Sequence, residues 1–139
     1  MKGMYAQTNC EKLILALNMV LSDNPQLDCH NLTVCDSTIE EVVLDARYGD
    51  YVTETEYQEC LHGLYPLHNN VTNVIFLSRP TKIGLWVELF STEKIDPKWI
   101  QECTKYSCMT WFGESIRYRI TFDGNGNAII MHKTKIIYN

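Results

Sequence analysis

Five consecutive residues, Asp123-Gly124-Asn125-Gly126-Asn127, constrain the fold more than any other stretch of this chain. Glycine reaches positive φ without steric cost, and Asn and Asp bond back to their own backbone, so the cluster predicts a tight reversal. The flanking runs, SIRYRITF from Ser115 and AIIMHKT from Ala128, alternate in character, and together the three pieces predict a β-hairpin. An unbroken register then sets Phe122 opposite Ala128, Arg119 opposite Met131 and Tyr118 opposite His132. Successive strand residues point to opposite faces. One face therefore carries Ile116, Tyr118, Ile120, Phe122, Ala128, Ile130, His132 and Thr134. The other carries Arg117, Arg119, Thr121, Ile129, Met131 and Lys133. The first belongs against a core; the second is basic.

That basic face stands out because the chain of 139 residues is acidic, with 12 Lys and Arg against 17 Asp and Glu and a net charge of −5. An acidic total argues against a general nucleic-acid coat, against double-stranded DNA as a partner and against a polybasic membrane binder. The length suits one domain spanning 1–139. No run approaches the roughly 20 apolar residues of a membrane-spanning helix, and the opening MKGMYAQTNCEK has no apolar core of a signal peptide. The expected location is therefore cytoplasmic, the host's cytoplasm if the chain is viral, and not secreted. On that logic the six cysteines are expected to be reduced. No Cys-x-x-Cys occurs and the four histidines share no zinc-ligand spacing with the cysteines, so neither metal nor cofactor is expected.

Along the chain, Lys2–Gln7 predicts a short strand. Thr8-Asn9-Cys10-Glu11 is a capping-box pattern opening a helix from Cys10 to about Leu21, with Leu13, Leu17, Val20 and Leu21 on one stripe and Asp23-Asn24-Pro25 ending it. Leu27–Cys35 alternates as a second strand, with Leu32 and Val34 on one face and Asn31 and Thr33 on the other. A helical insertion around 38–66 follows. Val71–Ser78 and Lys82–Ser91 predict two more strands, Asp96-Pro97 starts a last helix, and the hairpin closes the chain. This order predicts an α+β fold, an antiparallel or mixed sheet with helices on one face and an open concave cleft on the other. The cleft would collect Asn31, Thr33, Trp86, Glu88, Arg117, Arg119, Thr121 and Lys133. Arginine and lysine suit phosphate, hydroxyls position it, and a tryptophan gives a base something to stack on. The competing reading is a solvated sheet face with ordinary cross-strand pairs.

The opening KGMYA before a capped helix, the segment NLTVCDS, the segment RPTKIGLWVELFS before a helix and the late strand YRITF occur in an order that resembles the two-histidine (2H) phosphoesterases. The likeness is greatest to the small phage enzymes that degrade the cyclic oligonucleotide signals of bacterial defence. The resemblance implies two His-x-Thr motifs facing each other across a cleft, the histidines serving as general base and acid on a phosphodiester. Here the motifs align with Asn31-Leu32-Thr33 and Arg119-Ile120-Thr121: both threonines are present and both histidines are replaced. Neither Asn nor Arg can take up an imidazole's proton traffic near neutral pH.

The sequence therefore points to a catalytically degenerate binding module, a pseudoenzyme that holds a nucleotide, a cyclic oligonucleotide or an RNA phosphate and sequesters it in viral counter-defence. Its ligand-binding residues would be Asn31, Thr33, Trp86, Arg117, Arg119, Thr121 and Lys133, with no catalytic residue. Two alternatives stay open. One is an inhibitor that grips a protein partner through the acidic insertion, residues 39–64. The other is an active phosphodiesterase using His30, beside Asn31, or His132, whose His132-Lys133-Thr134 spells the motif. In the unbroken register His132 falls on the apolar face, as a structural residue.

Overall fold

A computed structural model describes residues 8–34, 60–61, 64–66, 68–78, 80, 84–93 and 113–138. The strand expected at 2–7, most of the insertion around 38–66 and the helix expected after Pro97 lie outside them. The described residues include a full helix, α1 (Asn9–Asp23), and five strands: β1 (Leu32–Val34), β2 (Asn73–Leu77), β3 (Gly84–Ser91), β4 (Gly113–Phe122) and β5 (Ala128–Tyr138). The strands lie in the order β1-β2-β3-β4-β5. Only β1 and β2 run parallel; every other neighbour is antiparallel. The mixed sheet with a helix packed on it is the expected α+β class.

Helix α1 starts where the capping box predicts. The Glu11 amide donates to the Thr8 hydroxyl and the Thr8 amide to the Glu11 carboxylate, each at 3.1 Å, which satisfies two of the helix's orphan donors. Its buried stripe is Leu13, Ala16, Leu17 and Val20. These pack on Leu32 and Val34 of β1, Ile75 and Leu77 of β2, Leu85, Val87 and Leu89 of β3, and Tyr118 and Ile120 of β4. Each large side chain moved from water into that layer contributes about 1.5–3 kcal/mol.

The second strand and the cysteines depart from expectation. The second strand is shorter than Leu27–Cys35: residues 29–31 are turn, and strand begins at Leu32. The Asp28 carboxylate accepts from the His30 amide at 2.8 Å, and the Asn31 side-chain carbonyl accepts from the Asp28 amide at 3.0 Å. These local side-chain bonds offer the backbone a turn in place of a ladder. The cysteines are not all reduced either. Cys10 and Cys60 form a disulfide with a Cα–Cα separation of 5.5 Å, pinning the first turn of α1 to the helical residues Cys60 and Leu61, the latter buried in the core. Cys29 is an exposed free thiol.

The hairpin loop forms as predicted. Asp123 accepts from the Asn125 and Asn127 amides at 2.9 Å each, and Gly126 takes φ 83°. Those amides favour the charged form and hold the Asp123 carboxyl below the usual range. From the loop to Ile120 the ladder follows the expected register, Phe122 opposite Ala128 and Ile120 opposite Ile130. There it breaks. Arg119 pairs with His132, not Met131, so Met131 is an extra residue in a β-bulge. Beyond the bulge every side chain of β5 lies on the face opposite to the one expected. Tyr118 now faces Lys133, Arg117 faces Thr134, Ile116 faces Lys135 and Ser115 faces Ile136.

The bulge has a physical reason. In the unbroken register Lys133 would face Arg117, and Lys135 would face Ser115, which is 1% exposed. Like charges directly opposite are destabilising, and a lysine forced into a buried row is costly. With one residue inserted, Lys133 reaches Asp23 on α1 at 2.6 Å and Lys135 reaches Glu114 at 3.5 Å.

Candidate functional site

The sheet face away from α1 is not a uniform cleft. Toward β1 and β2 it is sealed: Thr33, Val74, Phe76, Glu88, Phe90 and Ser115 are all buried. Toward β5 it is accessible, with Trp86, Arg117, Arg119 and Thr121 half-buried and Ile129, His132 and Thr134 exposed.

Cross-strand pairing arranges this accessible part in rows. Trp86 on β3, Arg119 on β4 and His132 on β5 form one row. Glu88, Arg117 and Thr134 form the next, and Thr121 with Ile129 flanks the first row on the loop side. Directly opposed side chains on one face have Cβ atoms about 5 Å apart. An imidazole, two guanidinium groups, two threonine hydroxyls and an indole thus share a patch about 10 Å across the strands and about 13 Å along them. Arg117 donates to Glu88 at 2.8 Å, and Glu88 is 1% exposed against 23% for the Arg117 side chain. That pair anchors the patch from below and neutralises Arg117 in part. The backbone beneath the patch needs a glycine. A Cβ on Gly84, at φ 154°, would collide with the Ile120 carbonyl oxygen, so β3 approaches β4 there as only glycine allows.

The expected ligand-binding residues divide into three groups. Trp86, Arg117, Arg119 and Thr121 are brought together. Asn31 and Thr33 are not. The Asn31 side chain holds its own turn, donating to the Gln26 carbonyl at 3.0 Å, and the buried Thr33 hydroxyl donates to the Tyr65 carbonyl at 2.8 Å. Thr33 lies three strands across from Arg119 and four residues along β4, in the row of Val74, Phe90 and Ser115. Strand geometry makes that a separation of about 20 Å, too far for one phosphate. Lys133 is the third case and a correction: the bulge turns it to the α1 face, where its ammonium sits 5.6 Å from the Tyr118 ring centroid.

His132 is the residue that the sequence reading set on the wrong face. The signal that could have found it is the Lys133/Lys135 alternation, which in the unbroken register sets Lys133 opposite Arg117 and Lys135 opposite the buried Ser115. His30, by contrast, lies in the turn before β1, 88% exposed and 3.4 Å from the Asp28 carboxylate.

On the α1 side, a buried phenol network holds the hairpin to the helix. The Tyr118 hydroxyl donates to Asp23 at 2.7 Å and accepts from the Asn24 amide nitrogen at 2.8 Å. Burial, and then the bond to Asp23, push the Tyr118 hydroxyl up to about 12. The Lys133 and Tyr118 hydrogen bonds hold the Asp23 carboxyl below its ordinary value. An open groove of about 630 Å³ between Asn73, Ser91 and Glu114 has two glutamates, Glu93 and Glu114, as its only charged lining residues among those described, the wrong sign for phosphate. No group of three or more His, Cys, Asp or Glu among the described residues could hold a metal ion. Among them, too, no helix is long and apolar enough to cross a membrane.

Comparison with protein-family models, with curated proteins and with solved structures finds no significant match.

Proposed function

We propose that this protein binds a phosphate-bearing ligand, a nucleotide or oligonucleotide, on the β3–β5 part of the sheet face away from α1. The observation that carries the reading is the pairing beyond the bulge, which sets His132 opposite Arg119 and Thr134 opposite Arg117. Arg119 supplies a planar fork of donors for phosphate oxygens, Thr121 and Thr134 add hydroxyl donors, and Trp86 offers a stacking surface for a base. Among the described residues the patch holds one imidazole, whereas phosphodiester cleavage by general acid and base needs two proton-handling groups. Binding without turnover therefore suits it best, and a protein that sequesters a cyclic oligonucleotide or an RNA phosphate in viral counter-defence would need no more.

His132-Lys133-Thr134 supports a second reading, since His132 and Thr134 share the cationic patch. In that reading His132 is the single base of a slow phosphodiesterase. Calorimetry with adenosine 5′-monophosphate separates binding from no binding. Arg119→Ala and Trp86→Ala should each weaken it by about tenfold or more, and unchanged affinity in both would sink the assignment. Incubation with 2′,3′-cyclic nucleotides decides between the two readings. The first predicts no turnover; turnover abolished in His132→Ala would establish the second.

A further inference from the structure

Two pairings of β5 with β4 are geometrically open, and the structure takes the bulged one. Without the bulge, His132 pairs with Tyr118 under α1; with it, His132 joins Arg119 on the accessible face. We propose that Asp23 and Lys133 are positioning residues that select the bulged register and so present His132 to the ligand, a role that rests on the binding reading above only for its affinity readout.

Three observations carry this. Asp23 stands in the last turn of α1, which has no basic residue. A carboxylate there opposes the helix dipole, so its presence calls for another cause. That cause is at hand: one oxygen, Asp23 Oδ2, accepts both from Lys133 Nζ at 2.6 Å and from the Tyr118 hydroxyl at 2.7 Å. Thirdly, Lys133 immediately follows the bulged pair Met131-His132 and lies over the Tyr118 ring. It can reach Asp23 only from the α1 face. A side-chain period of two means that holding Lys133 on that face holds His132 on the other.

Deleting Met131 gives a decisive background. The sequence Ile130-His132-Lys133 then places His132 opposite Arg119 by simple alternation, with no bulge and no need of the lock. Cross-strand NOEs report the register directly, and binding of adenosine 5′-monophosphate reports its consequence. In Asp23→Ala the Arg119–His132 contact should weaken, Arg119–Met131 and Tyr118–His132 contacts should appear, and affinity should fall by about tenfold. Lys133→Met should do the same, and Lys133→Arg should behave as the parent. In the chain lacking Met131, Asp23→Ala should change neither register nor affinity. The Phe122–Ala128 contact, on the loop side of the bulge, checks that each variant folds. If Asp23→Ala and Lys133→Met both keep His132 against Arg119, the proposal is overturned. If the register moves while affinity stays, the lock stands and the binding reading fails.

Discussion

The two halves of the β4–β5 hairpin obey different rules. From the loop to Ile120 and Ile130 the structure is local: Asp123 accepts the loop amides, Gly126 takes the positive φ, and alternation sorts the side chains. At Met131 the alternation slips by one residue, and the register beyond it is set by groups distant in sequence: Asp23 on α1, Glu88 on β3 and the buried row of Ser115. The half nearest the loop builds the hairpin. The far half decides which residues the patch presents. A local pattern is satisfied wherever it occurs, whereas a register chosen by tertiary partners can be moved by changing one of them.

Perturbations should sort accordingly. Within the hairpin, the largest effect is expected where the far half meets a buried charge. Arg117→Ala leaves Glu88 without its guanidinium and should cost about 3 kcal/mol in chemical denaturation; a loss below about 1 kcal/mol would mean that the pair matters little to the far half. Alkali comes next. The Tyr118 hydroxyl ionises near 10 when unfolded but at about 12 when folded. The folded chain therefore keeps a proton that the unfolded chain loses between those values, and stability falls as pH rises through that window. The loss should reach about 2 kcal/mol and should shrink in Tyr118→Phe, with unfolding midpoints followed from pH 9 to 12. Asp23 works in the other direction: its lowered carboxyl adds stability above the ordinary carboxylate range that is lost as pH falls.

In the near half, Asp123→Ala removes a local turn anchor and should lower stability less than Arg117→Ala does, without moving His132. Arg119–His132 contacts that vanished in this variant would break the division between the halves. The smallest effect is expected at Lys135, whose pair with Glu114 is more than half exposed on both sides. Lys135→Ala should change stability by less than about 0.5 kcal/mol. Outside the hairpin, the Cys10–Cys60 disulfide closes a separation of 50 residues, and the chain-entropy relation makes Cys60→Ser a loss of about 4 kcal/mol. It should leave the hairpin register unchanged.

The sequence made legible what depends on neighbours in the chain. The Thr8–Glu11 capping box, the α1 stripe, the hairpin loop and the α+β class all follow from residues within a few positions of one another. Leu32 and Val34, Leu85 and Val87, and Ile120 and Ile130 were assignable to the core face by period two alone. The bulge was not, because an inserted residue leaves no mark on the local pattern; its signal is that Lys133 and Lys135 would otherwise face Arg117 and Ser115. Asn31 and Thr33 were grouped with Arg119 by a shared sheet face, and strand order separates them. The disulfide was missed for another reason: compartment logic from the N-terminus says nothing about two side chains brought within reach by packing.

A binding patch requires that His132, Arg119 and Trp86 serve one ligand. The most direct measurement follows the His132 imidazole and Trp86 indole NMR signals while adenosine 5′-monophosphate is titrated into the intact protein. The account predicts that both shift along one saturable curve, and that Arg119→Ala weakens both together by about tenfold. Signals that stay in place at saturating nucleotide, or that move independently and ignore Arg119, would contradict it.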